Sequence, residues 1–274
     1  MDLHLHTTAS DGALSPSDLV RAASTSGLST ISVTDHDTTA GLREARAAAA
    51  VYGLEFVDGV EISAVDGGRD VHMLGYFITI DAPALCALLE RQRSDRLRRV
   101  EGMRDRLSRL GVPIDAEPVF DAARAGQSVG RPQIADALIA AGHVKTRDEA
   151  FAGYLANGGA AYVPRDGVSP EHVIDIIHAA GGLASLAHPG VARQDDRVRR
   201  LAAAGLDAIE AHHPEHDAAL AAHYRDLARD LRLLVTGGSD FHGAGSGARH
   251  AGRPGAVVLP ADDFARLRSA AAAR

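Results

Sequence analysis

The sequence predicts an α/β barrel interrupted by a long helical insertion, and three observations predict it. Short β-branched runs alternate with longer Ala/Leu/Arg runs of helical period over residues 1–80 and 163–274, which is the pattern of βα units. The alternation stops over residues 81–162. Histidines and acids collect where the strand-like runs end, and in a parallel barrel those ends converge on the one face that carries the site.

Taken in order, strands are predicted at residues 3–5, 30–34, 55–60, 71–78, 183–187, 208–211, 231–236 and 256–259. Helices are predicted between them at residues 17–26, 41–52, 170–180, 197–204, 216–229 and 262–273. Ser15-Pro16 and Ser169-Pro170 each set a capping hydroxyl before a proline suited to a first helical turn. In the insertion, residues 81–110 read as a long charged amphipathic helix, and residues 132–141 and 147–156 as shorter ones. The insertion is expected to cap one end of the barrel. All the metal-ligand candidates lie outside it, so its removal is expected to spare them.

A chain of 274 residues, 46% hydrophobic, can bury a large core. Its formal net charge of −7 argues against a nonspecific polyanion-binding surface, which needs a basic face. Cys86 is the single cysteine, so no intrachain disulfide is possible and a cytoplasmic setting is expected. The opening Met1–His6 leaves no room for a signal segment. No apolar run approaches the roughly 20 residues of a membrane helix. Neither a G-x-S-x-G elbow nor a P-loop is present, against serine hydrolase or nucleoside triphosphatase chemistry.

The chemistry lies in the histidines, of which there are 14. His4 and His6 are two apart on one strand, so both leave the same face and can reach one ion. Asp11 follows in the next loop. Asp35-His36-Asp37 closes the second strand, Glu61 follows the third, His72 lies on the fourth, His188 ends the 183–187 strand, and Asp240 with His242 ends the 231–236 strand. Imidazole and carboxylate without thiolate suit zinc, manganese or iron, and Glu61 can bridge two ions. Nine ligands exceed what one ion uses, so two to three divalent ions are expected. Asp11, Glu61 and Asp240 are the carboxylates on which catalysis is expected to rest. His143, His172, His178, His212, His223 and His250 lack such a setting and read as structural or solvated.

These segments resemble the PHP (polymerase and histidinol phosphatase) family. The resemblance rests on Asp2-Leu3-His4-Leu5-His6 with Ser10-Asp11-Gly12, Thr34-Asp35-His36-Asp37, Gly59-Val60-Glu61-Ile62-Ser63, Val71-His72-Met73-Leu74-Gly75, Leu186-Ala187-His188-Pro189-Gly190 and Gly238-Ser239-Asp240-Phe241-His242. It implies a distorted (β/α)7 TIM-like barrel and a trinuclear site. By that analogy His4, His6, Glu61 and Asp240 hold one ion, Glu61, His72 and His188 a second, and Asp11, His36 and His242 a third.

The insertion, Gly130-Arg131-Pro132-Gln133-Ile134-Ala135 and Ala161-Tyr162-Val163-Pro164 are similar to the 3′,5′-nucleoside bisphosphate phosphatases, some of which trim RNA from its 5′ end. The implied activity is hydrolysis of a phosphomonoester by a hydroxide bridging metals, with the 3′-phosphate of a nucleoside 3′,5′-bisphosphate as the expected target. The alternatives are a 5′-exoribonuclease on short RNA, a histidinol-phosphate-type phosphatase and a metal-binding module without turnover. Expected substrate contacts are Arg131, His216 and Arg193. Gln133 and Val191 depart from the subgroup, which often has His and Arg there; both bear on substrate and leave the metal ligands intact. The expected partner is a small phosphorylated molecule, in first place a nucleotide, with no membrane and no obligate protein partner.

Overall fold

The computed structural model describes residues 1–192, 195–243 and 252–274. Ten α-helices and six strands alternate among them: α1 Pro16–Thr25, β1 Thr30–Val33, α2 Leu42–Tyr52, β2 Glu55–Asp66, β3 Arg69–Tyr76, α3 Pro83–Arg109, α4 Glu117–Arg124, α5 Arg131–Ala140, α6 Arg147–Ala150, α7 Pro170–Ala179, β4 Leu183–Leu186, α8 Asp195–Ala203, β5 Ala208–His212, α9 Ala218–Leu231, β6 Leu234–Gly237 and α10 Ala261–Ala272. The two serine caps form as the sequence dictates: Ser15 accepts from the Asp18 N–H, Ser169 from the His172 N–H, and a proline opens each helix. The strands β1 and β4 are buried throughout, as expected where helices cover the outside of a sheet.

One curled sheet runs in the order β1-β2-β3-β4-β5-β6. The N-terminal segment lies between its two ends. On one side Asp2 N–H donates to Thr30 O and Thr34 N–H to Leu5 O; on the other Leu3 N–H donates to Gly237 O and His6 N–H to Phe241 O. Residues 3–5 therefore act as expected in position, through single bridges rather than a full ladder.

The sheet is not all parallel, which corrects the expected strand directions. The pairs β1/β2, β4/β5 and β5/β6 are parallel, whereas β2/β3 and β3/β4 are antiparallel. The cause is Gly67-Gly68, both at positive φ (57° and 75°), a two-residue turn whose twist matches a hairpin. The third strand accordingly runs on to Asp66, with Glu61 inside it. His72 reaches the same mouth because β3 returns beside β2, pairing it with Ser63. Residues 256–259 form no strand, although Leu259 N–H still donates to Met1 O. The helix expected over 147–156 is α6 followed by a π-helical turn, Phe151–Leu155, and α4 was not anticipated.

The core bears on the insertion. Leu85, Leu88 and Leu89 from the first turns of α3 pack with β2, β3 and α7 residues such as Ile62, Met73 and Ile177. Farther along α3, Val100, Met103 and Leu107 pack instead with Val119, Ile134, Leu138 and Leu155, a cluster drawn wholly from residues 100–163. The helix α3 is thus shared between two cores. Excising the chain from Asp81 onward would strip three buried leucines from the first. The metal-ligand candidates lie outside residues 81–162, as expected, but the start of that segment also packs into the barrel core. No helix of the described residues is long and apolar enough to cross a membrane.

Candidate metal centre

The nine predicted ligands gather at one mouth of the sheet. His4 and His6, on the same face of the N-terminal segment, are fully buried, and the ring nitrogen His6 Nε2 stands 3.1 Å from Asp240 and 3.3 Å from Glu61. His4 Nε2 stands 3.3 Å from each of the same two carboxylates. Glu61 lies at the centre: His36 Nδ1 is 3.0 Å from one of its oxygens, His72 Nδ1 2.9 Å and His188 Nε2 3.3 Å from the other. Asp11 stands 3.3 Å from His242 and 3.8 Å from His36.

Among the described residues, three groups have ligand atoms within 4.8 Å of one another: His6, Asp11, His36 and His242; His4, His6 and Glu61; His36, Glu61 and His72. The first adds His6 to one set that the resemblance implied. In the third, His36 rather than His188 completes the group, although His188 remains against Glu61.

These residues fit divalent cations. Both nitrogens of His6 and Nδ1 of His36 are buried without a hydrogen-bond partner among the described residues, a costly arrangement that a bound ion taking a ring lone pair would relieve. His6 lies close to two carboxylates without hydrogen-bonding geometry, as ligands sharing an ion do. The proton distribution agrees. Burial opposes charge on His6, yet Asp240 and Glu61 outweigh it and raise its pKa to about 10. Burial also dominates at His36 and, against the pull of Glu61 and Asp11, lowers that ring to about 3. Burial works against ionisation of Asp11 and Glu61 too, but the surrounding imidazoles hold both well below the usual carboxylate range. The two rings lie 4.7 Å apart, and an ion bound between them and the carboxylates would be the dominant local charge.

Backbone strain marks the same place. His188 and Asp240 have φ of 30° and 47°, and Asp37, next to His36, has 53°. Each costs on the order of 1–3 kcal/mol and is held by its surroundings. Asp37 is locked by the Ser63 N–H at 2.8 Å and Arg96 Nε at 2.6 Å, with Arg165 at 3.4 Å. His242 Nδ1–H donates to the Asp240 carbonyl at 2.8 Å, which leaves Nε2 toward Asp11. Asp35 accepts from Thr7 and Ser10 and so fixes the loop that carries Asp11. Its role is to hold that loop.

A cleft of about 600 Å³ opens over the cage, and its walls carry Arg96, Arg99, Arg131, Arg147 and Arg165 besides Asp11, His36, Glu61, His72, His188, Asp240 and His242. Arg131, at the start of α5, is engaged on every side: Nη1 donates to Asn157 at 2.8 Å, Nη2 to Asp70 at 3.1 Å, and its guanidinium lies between the rings of Phe151 and Tyr162 at 5.6 and 5.7 Å. Arg99 differs. Its Nε donates to Val163 O at 3.0 Å, while Nη2 is buried with no hydrogen-bond partner among the described residues.

His216 does not line the cleft. Its Nδ1–H donates to Ala211 O at 2.9 Å and its Nε2 accepts from the Gly190 N–H at 3.0 Å, so both nitrogens serve the main chain and neither remains for a phosphate. Arg193 and His250 lie outside the described residues. His178 and His223 pair with Asp207 and Asp195 at 2.8 Å, and His212 meets Arg225 at 2.9 Å, all away from the cage.

Sequence reasoning missed Glu210, His213, Arg99 and Arg165. Glu210 is fully buried, and its signal was a single acid inside the apolar run Ala208-Ile209-Glu210-Ala211. His213 accepts from the Glu215 N–H at 3.1 Å on Nδ1, so its Nε2–H donates to Asp240 at 3.2 Å. No local pattern distinguishes Arg99 from the other arginines of α3.

An α/β sheet that brings six imidazoles and three carboxylates to one mouth defines a metal-dependent hydrolase. The comparisons specify its kind: the model of the PHP domain matches residues 2–122. The 5′-3′ exoribonuclease Rnm of Escherichia coli is 37% identical over 255 residues, covering 88% of this chain and 84% of that protein. The phosphoribosyl 1,2-cyclic phosphate 1,2-diphosphodiesterase of Eggerthella lenta is 35% identical, covering 92% and 97%. The 3′,5′-nucleoside bisphosphate phosphatase of Chromobacterium violaceum is also 35% identical, covering 92% and 90%. A solved structure from Bifidobacterium adolescentis, described as a candidate metal-dependent phosphoesterase, matches with a TM-score of 0.88 at 35% identity, covering 98% of this chain and 95% of that one. The chain belongs to the PHP family and is a metal-dependent phosphoesterase. Three relatives of nearly equal identity carry three different activities, so likeness alone leaves the substrate open.

Proposed function

We propose that this phosphoesterase removes a phosphate from a substrate that carries a second one, in first place the 3′-phosphate of a nucleoside 3′,5′-bisphosphate. The observation that carries the reading is the arginine wall facing the metal-ligand cage across one cleft, with a buried guanidinium N–H of Arg99 that lacks an acceptor. In a chain of net charge −7 such a concentration of cations has a local purpose. Guanidinium suits it because its planar N–H groups grip a phosphate in two places.

We assign residues 81–162 as the cap and residues 1–80 with 163–274 as a distorted (β/α)7 barrel, the N-terminal segment serving as its seventh stave. Two to three divalent ions, manganese, zinc or iron, would be held by His4, His6, Asp11, His36, Glu61, His72, His188, Asp240 and His242. Bound there, they supply the acidity that activates water near neutral pH and the charge that neutralises a phosphoryl group. Asp11 and Glu61, held well below the usual carboxylate range, stay ionised and with Asp240 fix where that charge sits. Arg99, Arg165 and Arg131 take the second phosphate, while Asp70 keeps Arg131 and Arg165 aligned between turnovers. Phe151 and Pro132 add apolar surface to the same cleft.

The test is release of inorganic phosphate from a panel of nucleoside bisphosphates, nucleoside monophosphates, sugar phosphates and histidinol phosphate, with short 5′-phosphorylated RNAs alongside. A kcat/KM for a 3′,5′-bisphosphate at least tenfold above every monophosphate supports the reading. Preference for a monophosphate refutes it. Mononucleotide release from RNA in preference to all of these would establish the exoribonuclease reading, which the likeness to the Escherichia coli enzyme favours.

A further inference from the structure

The geometry points to Glu210 as a positioning residue that joins two parts of the cage, setting the ring orientation of His4 and the backbone pose of His188 with one carboxylate. The inference rests on the metal-centre reading and not on the identity of the substrate. Glu210 stands on β5, fully buried, one layer behind the ligands. Its Oε1 is 2.9 Å from His4 Nδ1, and its Oε2 accepts the His188 N–H at 2.9 Å.

A carboxylate only accepts, so His4 Nδ1 carries the proton. The lone pair of a neutral His4 is then on Nε2, the atom 3.3 Å from both Glu61 and Asp240. The second hydrogen bond acts on a different ligand. His188 sits at φ 30°, a conformation L side chains rarely adopt, and from there its Nε2 comes within 3.3 Å of the other Glu61 oxygen. His4 and His188 thus approach opposite oxygens of Glu61, and one residue behind them holds both. Carboxylates that orient ligand imidazoles in this manner influence metal affinity directly.

The pairing also explains why a carboxylate is required. Gln at this position has the same shape but only one acceptor. Its NH2 must face either His4 Nδ1–H or the His188 N–H, donor against donor, so one of the two ligands is released. Ser185, in the same interior, offers a control: its hydroxyl pairs with Thr236 at 2.9 Å and not with His4 or His188.

The experiment compares wild type, Glu210→Gln and Ser185→Ala without substrate, by zinc and manganese titration against a competing chelator. Glu210→Gln should bind the ions about 10- to 100-fold more weakly, and Ser185→Ala as wild type. Unchanged affinity in Glu210→Gln, or an equal loss in Ser185→Ala, would overturn the inference. Should Glu210→Gln fail to fold, the zinc-loaded wild type decides: long-range 1H–15N spectra of protein labelled in histidine should show His4 protonated on Nδ1, and hydrogen exchange should show the His188 amide protected. A proton on His4 Nε2, or a His188 amide that exchanges freely, removes Glu210 from the centre. Because no substrate is present, either failure leaves the bisphosphate reading untouched.

Discussion

Replacing Arg99 with Met should make the protein more stable and a poorer enzyme at once. Burial first, and then the neighbouring Arg165, push the guanidinium from its ordinary 12.5 down to about 10, with Asp70 offsetting part of the effect. At roughly 1.4 kcal/mol per tenfold, that fall corresponds to about 3 kcal/mol of unfavourable charge burial. Against it stands the hydrogen bond to Val163 O, whose loss costs about 1–3 kcal/mol. Met fills a similar volume, so the balance is a gain of about 1 kcal/mol, or roughly 2–4 °C in Tm for a chain of this size.

The sign follows from the depressed pKa. The penalty is present in full at neutral pH and fades only as pH rises through about 10 toward 12.5, so a thermal melt at pH 7 reads it whole. Inorganic phosphate should raise the Tm of wild type more than that of Arg99→Met, and kcat/KM for a nucleoside bisphosphate should fall tens- to hundreds-fold while a monophosphate changes much less. A variant that loses more than about 1 kcal/mol in phosphate-free buffer would show that the guanidinium is already compensated. Unaltered bisphosphate kinetics would take Arg99 out of substrate recognition.

Arg131→Ala should reduce both properties, because two cation–π contacts and the Asp70 pair together contribute about 2 kcal/mol; a urea midpoint equal to wild type would contradict that packing. Protein purified after growth with excess metal should contain two to three divalent ions per chain by elemental analysis, and one ion or fewer would defeat the multinuclear reading. Asp240→Ala should abolish turnover while circular dichroism stays that of wild type; retained turnover would exclude Asp240 as a ligand. Joining Asp81 to Gly167 removes Leu85, Leu88 and Leu89 from the barrel core at about 2–5 kcal/mol each, more than most domains can lose. That product should not fold, and a cooperative melt from it would show that α3 is dispensable.

Much of the site was legible in the chain because ligand spacing is local: His4 and His6 share a face by the period of an extended segment, and Asp35-His36-Asp37 and Asp240-Phe241-His242 each bring their groups to a strand end without reference to the rest of the molecule. The strand alternation and the two Ser-Pro helix starts were legible for the same reason. Strand direction was not, since Gly67-Gly68 reverses β2 into β3 and only pairing along the whole hairpin, Gly59 to Tyr76, reveals that His72 returns to the mouth. The roles of single residues in uniform surroundings were also decided by tertiary structure. Glu210 is joined to His4 across 206 positions, and Arg99 is set apart from the other arginines of α3 only by the burial that leaves one of its N–H groups without an acceptor. The sequence by itself determined which atoms can bind metal, because that is a property of side chains and short spacings. The tertiary structure decided which of them meet, and which cation waits for an anion, because burial and partnership depend on contacts between segments distant in the chain.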